Sequence, residues 1–269
     1  MKLRVVPALR GWHWARMGLQ LGLRQPFALM SLLGLFVTAA MLTMVVPILG
    51  PIVIVAAMPV VWMGFMLATQ RLLHNERITP GVMIDPLREP ERRKAWLQLG
   101  GLYVGATVLV MVIAGLIGPD LQALGQAVEE VEAGRDALDN PAVVSSLLWR
   151  FALAVPMSLL FWHTPALVHW ARVPPLKALF FSAVASWRNL GAFVVYGACW
   201  VGVVLALGVP LQVLAAVIPE PTIVNIVAVV AGMWVVACFY ASLYFSVIEC
   251  FEQPGQGDMP DDLTPPSAA

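Results

Sequence analysis

Charge is what this sequence has least of. Asp, Glu, Lys and Arg make up 12% of it, where a soluble domain carries about 25%. With 60% hydrophobic residues and a mean hydropathy of +0.82, that deficit excludes an ordinary soluble domain and points to a polytopic membrane protein. Cysteine is scarce too. Cys199, Cys238 and Cys250 all fall in or at the end of apolar runs. An odd number without motif spacing excludes a disulfide framework and a zinc site, so they read as small apolar packing residues.

Other absences narrow the function. There is no basic groove interleaved with aromatics, so no nucleic-acid partner is expected. No nucleophile–base pair, phosphate-binding glycine loop or metal-ligand cluster appears, and the expectation is a non-enzyme without cofactor or metal. No A-x-A site closes the first apolar run, which starts late, at Phe27, and is too long for a signal peptide. It reads as an uncleaved anchor.

What is present is a series of long apolar runs. Phe27 begins 20 residues without a charge, about 30 Å as a helix and about one hydrocarbon thickness. Pro47, Gly50 and Pro51 then break the chain, and a second uncharged run follows. A chain in lipid must satisfy its backbone internally, so the two runs predict a helical hairpin. The same reading along the chain predicts an all-α membrane protein. It is a bundle of about six transmembrane helices with amphipathic interfacial helices. The spans fall at about 27–46, 52–70, 95–118, 143–170, 189–209 and 222–248. Residues 1–252 form one bundle, and the Pro/Gly/acid-rich tail 253–269 is expected to be disordered.

Residues 10–24 place Arg10, His13, Arg16, Gln20 and Arg24 on one helical face. Trp12 and Trp14 lie beside them. This pattern suits an interfacial helix, with Trp12, Trp14, Arg16 and Arg24 as interface anchors. Gly18 with Gly22, and Gly101 with Gly105, are small-xxx-small pairs that would admit close helix contacts. Residues 71–94 are too polar to enter lipid. Their Arg92–Arg93–Lys94 run reads as a topology anchor or a contact for anionic headgroups. Thr79–Pro80 reads as a helix start.

The acidic stretch 119–142 includes Glu129, Glu130, Glu132, Asp136 and Asp139 but lacks EF-hand spacing, so it reads as a solvated loop. Asn140 and Pro141 cap the fourth span, which carries Arg150, Pro156, His163, Pro165 and His169. Arg150 and His163 are the candidate intramembrane polar site, beside a helix broken by proline. The competing reading has Arg150 snorkelling to headgroups and His163 bonding a neighbouring helix. Residues 171–188 predict a second interfacial helix. Leu211–Ile218 reads as a short separate stretch, and Glu249 as solvated at the end of the sixth span. A basic apolar helix, an arginine and a span–turn–span recur at an offset of 164 residues, at Arg24 and at Arg188.

Lys and Arg gather in three clusters of 5, 6 and 3 among 16 in all, at 2–24, 71–94 and 172–188. Six spans put these clusters on one side, and the positive-inside rule makes that side, with both termini, cytoplasmic. The opening RVVPALRGWHWARMGLQLGLRQPFAL, the hairpin around PILGP and the six-span layout resemble an uncharacterised family of bacterial inner-membrane proteins. Its members share a GWxW helix followed by an Arg-x-Pro lead into the first span, here Gly11, Trp12, Trp14, Arg24 and Pro26. The resemblance implies the inner membrane of a Gram-negative bacterium and no catalytic residues. The expected role is a membrane scaffold or a lipid- or partner-interacting protein; the alternative is a small-solute transporter or channel subunit. The expected partners are the lipid bilayer, anionic phospholipid headgroups and a second membrane protein.

Overall fold

The computed structural model describes residues 3–118, 126, 140–218 and 220–251. The acidic stretch up to Asp139, apart from Gln126, and the tail lie outside them. The described helices are α1 (Arg10–Arg24), α2 (Pro26–Thr43), α3 (Leu49–Leu73), α4 (Pro90–Ile117), α5 (Pro141–Phe161), α6 (Thr164–His169), α7 (Pro175–Arg188), α8 (Leu190–Val217) and α9 (Pro221–Cys250). Two 3-10 turns, Pro80–Met83 and Asp85–Leu87, separate α3 from α4. Among the described residues the one β pairing is a single bridge, Leu3 to Phe251.

Proline sets most of the helix starts. It occupies the first turn of α2, α4, α5, α6, α7 and α9. Its missing N–H costs nothing there and its fixed φ fits the helix. At α5 the Asn140 side chain also accepts from the Ala142 N–H at 2.9 Å, the cap expected of an Asn–Pro pair.

Among the described residues six helices are long and apolar enough to cross a membrane: α2, α3, α4, α5 continued by α6, α8 and α9. Consecutive spans alternate in direction, so one end of the bundle collects the start of α2, the end of α3, the start of α4, α6, the start of α8 and the end of α9. We call this the basic end, since all three Lys/Arg clusters fall there. The core is gathered at that end. Buried side chains run from Val235 to Cys250 in α9, from Ala192 to Trp200 in α8 and from Val61 to Leu73 in α3. The opposite halves leave large apolar groups exposed, among them Met41, Leu116, Phe151, Leu205 and Val229. Those halves are suited to lipid contact, because apolar surface there costs nothing against hydrocarbon tails.

The structure refines several readings. The fourth span is broken by proline, but Pro156 lies inside α5. The break comes at Trp162–His163, because Pro165 has no N–H to continue the helix and opens α6 instead. Leu211–Val217 is no separate stretch: α8 runs through Pro210 to Val217. The 3-10 turns between α3 and α4 pack against α3. Val82 is fully buried, and Met83 backs onto Gly64 so closely that a Cβ there would lie 2.9 Å from the Met83 Cα. Finally, Gly101 and Gly105 meet no helix; nothing lies within 4 Å of a Cβ built on either.

The 164-residue recurrence has a structural counterpart. Gly11, Trp14, Ala15, Gly18, Leu21 and Gly22 are buried in α1; Pro175, Ala178, Leu179, Ser182, Ala185 and Ser186, each 164 further on, are buried in α7. The two helices share a buried face although their neighbours differ. Helix α1 lies on α8 and α9, and α7 lies on α5 and α6.

Candidate functional site

The most heavily charged enclosed place among the described residues joins the two ends of the chain. Helix α1 brings a stripe of small residues against α8 and α9. A Cβ on Gly11 would lie 2.0 Å from the Ala192 carbonyl oxygen, and one on Gly18 would lie 2.7 Å from the Cys238 carbonyl oxygen. Only glycine permits so close an approach of two backbones. It brings Arg10, His13 and Trp14 to Glu249 in the last turn of α9. Arg10 donates Nε to Glu249 Oε2 at 2.7 Å, and its Nη2 donates to Oε1. Trp14 donates Nε1 to Oε2 at 2.8 Å, and His13 Nε2 stands 3.9 Å from Oε1.

These side chains are largely withdrawn from water: Arg10 is 15% exposed, Glu249 10% and Trp14 0%. Two readings are thereby corrected. Glu249 is not solvated, and Trp14 is not an interface anchor but a buried donor. The cause is the glycine stripe, which turns the Arg10–His13–Trp14 side of α1 inward. The remaining anchors stay outside: Trp12 is 55% exposed, and Arg16 and Arg24 are exposed.

The N-terminal strand of chain extends this closure. Arg4 N–H donates to the Cys250 carbonyl at 2.9 Å. The fully packed Asn189, between α7 and α8, accepts from the Val6 N–H at 2.8 Å and donates to the Arg4 and Ala185 carbonyls. Beside the cluster Phe193 lies tilted against Trp14, with centroids 5.4 Å apart, and edge-on to Trp162 at 5.2 Å. Such pairs add about 0.5–1.5 kcal/mol each beyond area burial.

His13 carries a pH dependence. Burial pulls its pKa below the usual 6.5, Arg10 and Arg16 push the same way, and Glu249 opposes them. The folded state therefore binds fewer protons here than the unfolded chain. Its stabilising contribution is complete above pH 6.5 and is lost as pH falls through the folded value. Thermal unfolding in detergent is expected at a lower temperature near pH 5.5 than near pH 7.5, and His13→Gln shrinks that difference. An unchanged difference in the variant would refute the assignment.

The candidate pair Arg150 and His163 is not brought together. Arg150 is exposed on α5, 11 residues before its end at Phe161, or about 16 Å along the helix. His163 is completely enclosed at the start of α6. Its backbone N–H donates to Ser182 Oγ at 3.0 Å, its Nδ1 lies 3.5 Å from Ser186 Oγ, and Phe193 and Phe251 flank the ring. Ser186 Oγ itself donates to the Leu159 carbonyl at 2.9 Å. With no carboxylate among its recorded partners and no access to the surface, the Ser–His contact ties α7 to the α5–α6 break. Among the described residues no group of three His, Cys, Asp or Glu could hold a metal ion.

Of the Arg92–Arg93–Lys94 run, Arg92 turns inward. It donates to the Val168 and His169 carbonyls at the end of α6 and pairs with Glu89. A cation at a helix C-terminus satisfies carbonyls that have no helical partner. Arg93 and Lys94 remain exposed. Sequence reasoning missed Glu249 as a site residue. The available signal was a lone acid ending the last span, together with Gly11, Gly18 and Gly22 at helical spacing on the helix that holds Arg10.

No family model matches the chain, and no solved structure matches it. It is 33% identical over 266 residues to a protein of Burkholderia thailandensis described as a "probable inner membrane protein", covering 97% of this chain and 98% of that one. With that likeness and six apolar helices of spanning length, the chain belongs to this family of uncharacterised multi-pass inner-membrane proteins.

Proposed function

We propose that the protein is a non-enzymatic membrane scaffold that engages lipid and a membrane-protein partner, with both termini and the basic end in the cytoplasm. The observation that carries this reading is the uneven packing. A tight core at the basic end holds the helices, while their opposite halves present apolar side chains outward. The polar groups within the spans support it further, because His163 is sealed and Arg150 is exposed apart from it, so they do not line a common path. The charge distribution supports the orientation, since 14 of the 16 Lys and Arg residues belong to segments at the basic end.

Site-specific cysteine labelling in intact cells tests the orientation. In a background lacking the native cysteines, a cysteine at Val45, between α2 and α3, is expected to react with an impermeant maleimide. One at Asn75 reacts only after permeabilisation. The reverse pattern would invert the map. Crosslinking in cells followed by purification tests the role: a defined membrane-protein adduct is expected, and recovery of the bare protein would count against the scaffold.

A further inference from the structure

Helices α2, α3 and α4 and the two 3-10 turns enclose a cavity of about 650 Å³, well within the range of ligand sites. Its lining is apolar almost throughout, from Leu35 on α2 through Val60 on α3 to Trp96 and Leu97 on α4. It opens sideways, toward where the bilayer lies, since Leu97 is 76% exposed and Leu35 45%. No hydrogen-bonding array in it would hold a polar solute.

Its rim at the basic end is cationic. The Arg88 guanidinium lies over Gly81, which lines the cavity; a Cβ on Gly81 would be 2.7 Å from Arg88 Nη2. Arg93 stands one turn before Leu97 on the same face of α4. Its Nε donates at 2.9 Å to the carbonyl of Leu87, another lining residue. Asp85 on this rim is shared between Arg88 at 2.8 Å and Arg71 at 2.7 Å, and the adjoining Glu89 is paired with Arg92 at 2.9 Å. The rim therefore keeps a net positive charge above an apolar, laterally open groove.

We infer that this groove seats one acyl chain of an anionic phospholipid from the leaflet at the basic end, with Arg88 and Arg93 holding its phosphate. Two features fix the occupant. The apolar walls suit hydrocarbon, and the two guanidiniums sit where a headgroup would emerge, each able to give a fork of donors to phosphate oxygens. A zwitterionic lipid would fit the walls equally well but would gain less from the rim. The inference gives the proposed lipid engagement a location, and it rests on that reading only for the choice of leaflet.

The test uses the full chain in nanodiscs doped with phosphatidylglycerol or phosphatidylcholine carrying a photoreactive diazirine in mid-chain. Adducts are mapped by mass spectrometry. With the phosphatidylglycerol probe, adducts are expected to concentrate on Leu35, Val60 and Leu97 and to exceed those from phosphatidylcholine. Arg88→Gln with Arg93→Gln should bring the two probes level, each arginine being worth about fivefold. Ala39→Trp, on the exposed small lining residue Ala39, fills the groove from the lipid side and should suppress both probes there. Equal labelling by the two probes in the unmodified protein would overturn the role of the rim. Adducts spread evenly over all exposed helix faces would overturn the groove. Neither result bears on the crosslinked protein partner, so the scaffold reading is judged separately. If the double arginine variant fails to fold, the Ala39→Trp result still decides.

Discussion

Glu249→Ala is expected to cost about 3–5 kcal/mol of stability, a large share of what most folds possess. The argument is one of stranded charge. Arg10 is 15% exposed and has two nitrogens on the Glu249 carboxylate, and Trp14 places its indole N–H on the same group. Removing the carboxylate leaves a guanidinium and a fully buried donor without the acceptor they now share. Glu249→Gln keeps one acceptor oxygen for them and should lose less. Replacing Arg10 and Glu249 together with methionine removes both charges and leaves only the Trp14 N–H unpaired, so it should lose less than Glu249→Ala. The measurement is the thermal unfolding midpoint in detergent, compared across the three variants. Equal losses in the single alanine variant and the double variant would show that shape, not charge, matters at this junction.

Gly18→Leu is expected to be more damaging still. The first carbon alone would lie 2.5 Å from the Ser242 Cβ and 2.7 Å from the Cys238 carbonyl oxygen. Backbone atoms of α9 cannot step aside as a flexible side chain can, so α1 must lift away from its seat. Overpacking by one methylene already costs about 1–3 kcal/mol, and leucine adds several. The variant should elute as aggregate where the unmodified protein is monodisperse. Gly101→Leu and Gly105→Leu provide the contrast. Nothing lies within 4 Å of either Cβ position, so both should elute as the unmodified protein does. A monodisperse Gly18→Leu protein would mean that α1 is not seated on α9.

The contrast between the two glycine pairs also marks the limit of what pattern reveals. Spacing showed that each pair permits a close crossing, but not which one has a helix to cross. The spans themselves were legible, because lipid imposes length and apolarity on every one of them. Asn140, placed before Pro141, was legible for a similar local reason. Glu249 was not, because its partners lie 239 and 235 residues away in sequence. An acid at a helix end looks the same whether it faces water or an arginine. Trp14 was misread for the matching cause: its neighbours Trp12 and Arg16 do face outward, and only the glycines beside it show which side turns in. The Arg150–His163 pair failed because about 16 Å of helix separates Arg150 from the end of α5, and one side chain faces outward while the other is enclosed. Pro165 rather than Pro156 ends α5, and His163 is enclosed at that break.

The contact between Arg10 and Glu249 also orders the protein's assembly. Synthesis delivers the arginine first and its acid 239 residues later, an interval of roughly 12 to 48 seconds at ordinary translation rates. Until α9 is inserted, α1 has only α8 to rest on, through Gly11, and Gly18 and Gly22 face nothing. Through that interval its Trp12, Leu9 and Leu23 edge can hold it at the membrane surface, keeping it within reach of a partner still on the ribosome. The bundle closes only when its final turn is made.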